Sequence, residues 1–126
     1  MDFQHIFTPE ERQEKVKAKK KELAGILTKI PGKKKKAARA IADQAAFLSV
    51  AIEELDGIVI RDGYVEEYKN GENQKGTKKT VAADLLDRYT KTYTTAIKQI
   101  VDMLPEEEAK TAKDELIEFT RNRPKI

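Results

Sequence analysis

The 126-residue chain contains no cysteine. That excludes a disulfide framework, a thiolate-bound zinc and a thiol nucleophile, and it fits an intracellular compartment. Histidine is almost as scarce, with His5 the sole example. Neither a Ser/His/Asp arrangement nor a metal-ligand spacing can be assembled around it, so no catalytic residue, metal or cofactor is expected. Long hydrophobic runs are also missing. No stretch approaches the roughly 18 apolar residues of a membrane span, and Met1 to Phe7 lack the charged start and apolar run of a signal peptide. A soluble, unexported protein with no membrane contact is expected. What the first third of the chain lacks is acid: between Lys15 and Arg39, eleven basic residues face a single carboxylate, Glu22.

A chain of this length reads as one domain, which rules out a multidomain enzyme. Leu, Ile, Val and Phe supply 29 of the 126 residues, enough for a thin core. Charged residues make up 37% of the chain, well above the usual quarter. The net charge of +3 hides an uneven distribution: residues 1–42 carry 12 Lys/Arg and 5 Asp/Glu, and residues 43–126 carry 13 and 17. A basic front on a balanced total implies a polyanionic partner.

The local signals predict a mainly α fold: a basic helical hairpin over residues 9–56 behind a flexible arm (1–8), a β-hairpin with a polar loop (57–79), and two further helices (80–123). Thr8, Pro9 and Glu11 form a helix start with a capping box. Val16, Leu23, Leu27 and Ile30 then fall in one narrow helical stripe that ends at Pro31-Gly32. A second helix is expected over 33–56 with Gly57 as its stop. Ala37, Ile41, Ala45, Leu48, Ile52 and Leu55 form its main stripe, while Ala42, Ala46, Phe47 and Val50 extend apolar surface behind it, as if two partners cover it.

Ile58 to Arg61, the pair Asp62-Gly63, and Tyr64 to Tyr68 read as two strands around a tight turn. Residues 69–79 have no apolar anchor and read as a solvated loop. Thr80 caps a third helix whose stripe of Ala82, Leu86, Tyr89, Tyr93, Ile97, Ile100 and Leu104 is the longest in the chain. Pro105 starts a fourth helix with acids at its positive end and Ala109, Ala112, Leu116 and Phe119 along its apolar edge.

The chemistry concentrates in the basic hairpin. Lys17, Lys20 and Lys21 on the first helix and Lys33, Lys34, Lys35, Lys36 and Arg39 on the second are the candidate DNA-binding residues, against the plain alternative of a solvated face. Lysine outnumbers arginine, which suits contact with phosphates better than reading of base edges, and the helix-turn-helix pattern is too loose to assign base-reading residues. Phe47, Val50, Leu86, Tyr89, Tyr93, Ile97 and Ile100 are the candidates for a subunit seam, with core packing the open alternative for Tyr89 and Tyr93. Tyr64 and Tyr68 share a strand face, where covering a small core outweighs stacking on bases. The carboxylates Glu53, Glu54, Asp56 and Asp62 could hold Mg²⁺ in a nuclease, but acids near a helix end are usually just solvated. The Asn70 to Thr77 segment ends Lys-Gly-Thr and is no phosphate-binding P-loop.

The segment from Asp62 to Pro105 resembles the small terminase subunits of tailed bacteriophages. The likeness is strongest in Val65-Glu66-Glu67-Tyr68-Lys69-Asn70-Gly71-Glu72-Asn73-Gln74-Lys75-Gly76-Thr77-Lys78-Lys79 and in Tyr93-Thr94-Thr95-Ala96-Ile97-Lys98-Gln99-Ile100. Many family members carry Pro where this sequence has Val81. The resemblance implies a non-catalytic component that works in the host cytoplasm. It would assemble as a homo-oligomeric ring, bind double-stranded viral DNA at the packaging site, and recruit or regulate the terminase large subunit, which supplies ATPase and nuclease. The acidic residues after Pro105 are then the expected docking point for that subunit. Two other readings use the same basic hairpin: a helical, dimeric DNA-binding regulator or nucleoid-type protein without a motor partner, and a scaffold whose basic region binds an acidic protein.

Overall fold

The computed structural model describes residues 6–69, 71 and 74–121; of residues 107–109, 112 and 119–121 it describes the backbone alone. The fold is mainly helical, in the order α1 (Pro9–Leu27), α2 (Gly32–Asp62), β1 (Val65–Lys69), β2 (Lys75–Lys79), α3 (Val81–Asp102) and α4 (Glu106–Arg121).

α1 begins as its sequence dictates. The Thr8 hydroxyl accepts the Glu11 N–H at 3.1 Å and the Glu11 carboxylate accepts the Thr8 N–H at 3.4 Å, a reciprocal cap with Pro9 in the first turn. The expected flexible arm is anchored at its end: Phe7 is buried and its N–H donates to Glu54 Oε2 at 3.0 Å. His5 and the residues before it lie outside the described residues.

α2 is the spine of the molecule. It packs against α1 and against α3, so the second partner for its doubly apolar surface comes from the same chain. Its 31 residues run about 46 Å and pass through Gly57, which corrects the expected stop there and the expected strand over 58–61. Ile52, Leu55 and Val59 continue the three-and-four spacing and all are buried. Ending the helix at Gly57 would strip Val59 from the core, and this packing outweighs the β preference of Ile58, Val59 and Ile60. The helix ends at Gly63, whose N–H donates to Val59 O at 2.7 Å and whose φ of 86° with extended ψ is a glycine conformation.

Asp62-Gly63 is therefore a helix end and not a hairpin turn. The hairpin lies further along: β1 pairs antiparallel with β2 from Val65↔Lys79 to Lys69↔Lys75. The polar stretch expected to be loop supplies the whole of β2, a strand of sequence KGTKK with no alternation to betray it. Eight of the ten strand residues are exposed. Tyr64 and Tyr68, expected to cover a core, are 69% and 40% exposed. Thr80 ties the hairpin base to the start of α3: its N–H donates to Tyr64 O, its hydroxyl donates to Gly63 O and accepts from Ala83 N–H.

The core is one cluster drawn from all four helices, including Leu23, Ile26, Ala38, Ala45, Ile52, Ile100 and Leu116. Most of the residues expected at a subunit seam belong to it or pack against it. Val50, Tyr93 and Ile100 are buried within the chain, and Leu86, Tyr89 and Ile97 pack against the cluster. The α3 stripe is long because it covers α2 and receives α4. Phe47, at 55% exposed, is the member of that set left facing solvent. Ala109, Ala112 and Phe119 lie outside the described side chains; Leu116, from the same expected edge of α4, is fully buried.

Candidate nucleic-acid interface

The structure sorts the basic residues of the first third into two groups. The inner group is paired. Arg12 donates through Nε and a terminal nitrogen to both oxygens of Glu54, at 2.7 and 2.9 Å, and Lys15 Nζ reaches Glu53 Oε1 at 3.1 Å. Lys15 also stands 4.7 Å from the centre of the Phe7 ring, within cation–π range. Lys19 is buried and pairs with Glu22 at 3.6 Å, and Lys29 meets Glu115 of α4 at 3.4 Å. The hydrogen bonds that Arg12 donates to Glu54 raise the pKa of its guanidinium; burial opposes this, and the Glu54 charge adds to the rise.

Two of the four carboxylates weighed as a Mg²⁺ site are engaged in these pairs. Glu53 and Glu54 are buried, and they face α1 cations. Asp62 is instead bound side by side with Arg61, whose hydrogen bonds lower the pKa of its carboxyl. Among the described residues no group of three or more His, Cys, Asp or Glu is placed to share a metal ion. Sequence reasoning counted one acid against eleven bases and missed Glu53 and Glu54, because the pairing joins residues about forty positions apart. The available signal was a pair of adjacent acids in an apolar segment with Val50, Ile52 and Leu55 around them, where an unpaired charge would be very costly.

The outer group holds every candidate DNA-binding residue. Lys17, Lys20, Lys21, Lys33, Lys34, Lys36 and Arg39 are exposed and Lys35 is half-buried. None of the eight makes an ion pair with a described residue. On α1 this follows from helical geometry, since Lys17 and Lys21 lie roughly 120° and 160° around the axis from buried Leu23.

The pairs Arg12–Glu54 and Lys15–Glu53 set α1 antiparallel to α2. Lys17 to Lys21 therefore lie beside the middle of α2, while Lys33 to Lys36 occupy its first turns. That first turn has no acid and no side-chain cap, since the capping position is Pro31. Lysines at the positive end of a helix dipole raise the local potential, and each is mildly unfavourable until an anion arrives. No helix among the described residues is long and apolar enough to cross a membrane. Comparison with known proteins found no match to the chain among family models, curated proteins or solved structures.

Proposed function

We propose that this chain is a non-catalytic DNA-binding component of phage genome packaging, a small terminase subunit that holds double-stranded viral DNA and recruits or regulates the large subunit. One observation carries the reading. Where a partner carboxylate is within reach, the basic residues of the first third are paired, and of the eight that remain seven are exposed and Lys35 is half-buried. A face of uncompensated lysines neutralises phosphates and releases their counterions, which gives affinity without sequence reading. The resemblance of residues 62–105 to small terminase subunits supplies the packaging context, and a ring would multiply weak contacts through high local concentration.

A second reading, the dimeric DNA-binding regulator, is favoured by the internal use of the α3 stripe: of the seven residues expected at a subunit seam, Phe47 alone is exposed. Mass in solution separates the two. A large closed oligomer at micromolar concentration supports the packaging component, and a stable dimer supports the regulator. The DNA-binding core common to both is tested by changing Lys33, Lys34, Lys36 and Arg39 to Gln. Binding to a duplex of arbitrary sequence should weaken at least tenfold with the fold intact; unchanged binding would show that the interface lies elsewhere.

A further inference from the structure

We infer that the β1/β2 hairpin is a second phosphate-binding element, which grips the duplex at the far end of α2 from the Lys33 to Lys36 cluster. The inference rests on the DNA-binding reading and extends it to a surface that the basic helices do not include.

The hairpin is built with little to hold it except its own ladder. Two-stranded hairpins without an apolar face are marginal in water, and here neither strand buries a large side chain. The register puts Val65, Glu67 and Lys69 on one face with their partners Lys79, Thr77 and Lys75. Lys69 and Lys75 are directly paired, an arrangement of like charges that weakens a ladder. Neither they nor Lys79 makes an ion pair with a described residue, whereas Lys78, on the opposite face, meets Glu66 at 3.6 Å. Glu67 is the acid on the lysine face, so the balance there is three cations to one anion.

A fold that sets two ammonium groups opposite each other gains when an anion comes between them, and a phosphate backbone supplies anions in series. The lysine-rich β2 edge also opposes pairing with another strand, which argues against a neighbouring chain as the occupant.

The hairpin has one close side-chain contact of its own. A Cβ at Gly76 would stand 2.7 Å from the Tyr68 hydroxyl oxygen and 2.8 Å from the ring carbon that bears it. The Tyr68 ring therefore lies flat across β2 in space that Gly76 leaves open. Tyr68 acts as a positioning residue that braces the ladder next to the Lys69/Lys75 pair. An open concavity of about 620 Å³ there is lined by Glu67, Tyr68, Lys69, Lys75, Gly76 and Thr77.

The hairpin follows the last turn of α2 and Lys33 to Lys36 form its first, so the two basic groups are separated by a helix about 46 Å long. One turn of duplex is about 34 Å. Contact at both ends would need more than one turn of DNA, so the bound length itself reports on the hairpin.

The test is the triple variant Lys69→Gln, Lys75→Gln, Lys79→Gln of the full chain, measured by fluorescence anisotropy on a labelled duplex of about 30 base pairs across a salt series. The changed side chains are exposed, and an unaltered thermal melt checks the fold. The inference predicts affinity about tenfold or more below wild type and a log–log salt slope shallower by up to about 3, with residual binding by the helical lysines. Wild-type affinity and slope in the triple variant, alongside loss of binding in the Lys33, Lys34, Lys36, Arg39 variant, would overturn the hairpin inference alone. No binding by wild type even in dilute buffer would overturn the DNA-binding reading and the inference with it.

The sequence has no tryptophan, so Thr77→Trp, at an exposed position on the lysine face, gives a single reporter there. Its emission should change on addition of duplex, and constant emission at saturating duplex would also overturn the inference.

Discussion

Arg12 and Lys21 stand about two and a half turns apart on α1, and they do opposite things with the same charge. Arg12 is clamped to Glu54 by two hydrogen bonds and links the two helices; Lys21 is exposed and without an ion-pair partner among the described residues. Arg12→Ala leaves the buried Glu54 carboxylate short of its main partner. It should cost about 2–3 kcal/mol, a fall of roughly 8–12 °C in Tm, with little effect on DNA affinity per folded molecule. Lys21→Ala should shift Tm by less than about 2 °C and weaken DNA binding. Paired melting and anisotropy measurements check both, and a matching loss of stability in the two variants would erase the distinction between inner and outer cations. The outer cations were legible in the sequence as a count. The inner ones were not, because whether a lysine is neutralised depends on which carboxylate the fold brings beside it, and Glu53 and Glu54 arrive from α2.

The elements show where periodicity informs and where it fails. α1, α3 and α4 begin where Thr8, Thr80 and Pro105 signal, since caps act within a few residues and need no tertiary partner. α2 overrides its Gly57 stop signal because Val59 completes a buried stripe, and β2 escapes detection because all that marks it is its pairing with β1. Gly63 is the true end of α2, and its positive φ resists any side chain. Gly63→Ala should destabilise the fold by about 1–2 kcal/mol in a thermal or urea melt; a neutral result would mean that the α2–β1 joint relaxes freely. α4 is held to the body by fully buried Leu116 and by the Lys29–Glu115 pair. Leu116→Ala should cost about 2–4 kcal/mol. Truncation after Pro105 would expose the same core, so the proposed docking of the large subunit is better tested by changing exposed Glu106 and Glu118 to Gln. That variant should keep DNA affinity while lowering stimulation of large-subunit activity; full stimulation would reject α4 as the docking site.

For the whole molecule, mainly helical architecture, a short hairpin and a basic first third could be read from composition and spacing. The assembly could not, because a long apolar stripe looks the same whether it meets a neighbouring subunit or a second helix of its own chain. Tyr93 and Ile100 meet α2 and its surroundings within the chain, which shifts attention to exposed Phe47 as the first residue to change if the particle proves oligomeric. Phe47→Lys should then lower the measured mass without unfolding the chain, and an unchanged oligomer would place the seam on another surface.

The most direct test of the central claim is the salt dependence of binding to a duplex of arbitrary sequence, measured for wild type and for a variant with Lys17, Lys20, Lys21, Lys33, Lys34, Lys36 and Arg39 changed to Gln. With roughly six phosphates engaged, the wild type should show a log–log slope near −5 and lose about a thousandfold in affinity between 50 and 200 mM salt, while the variant binds weakly with a markedly flatter slope. Equal slopes for the two proteins, or no binding by the wild type at 50 mM salt, would contradict it.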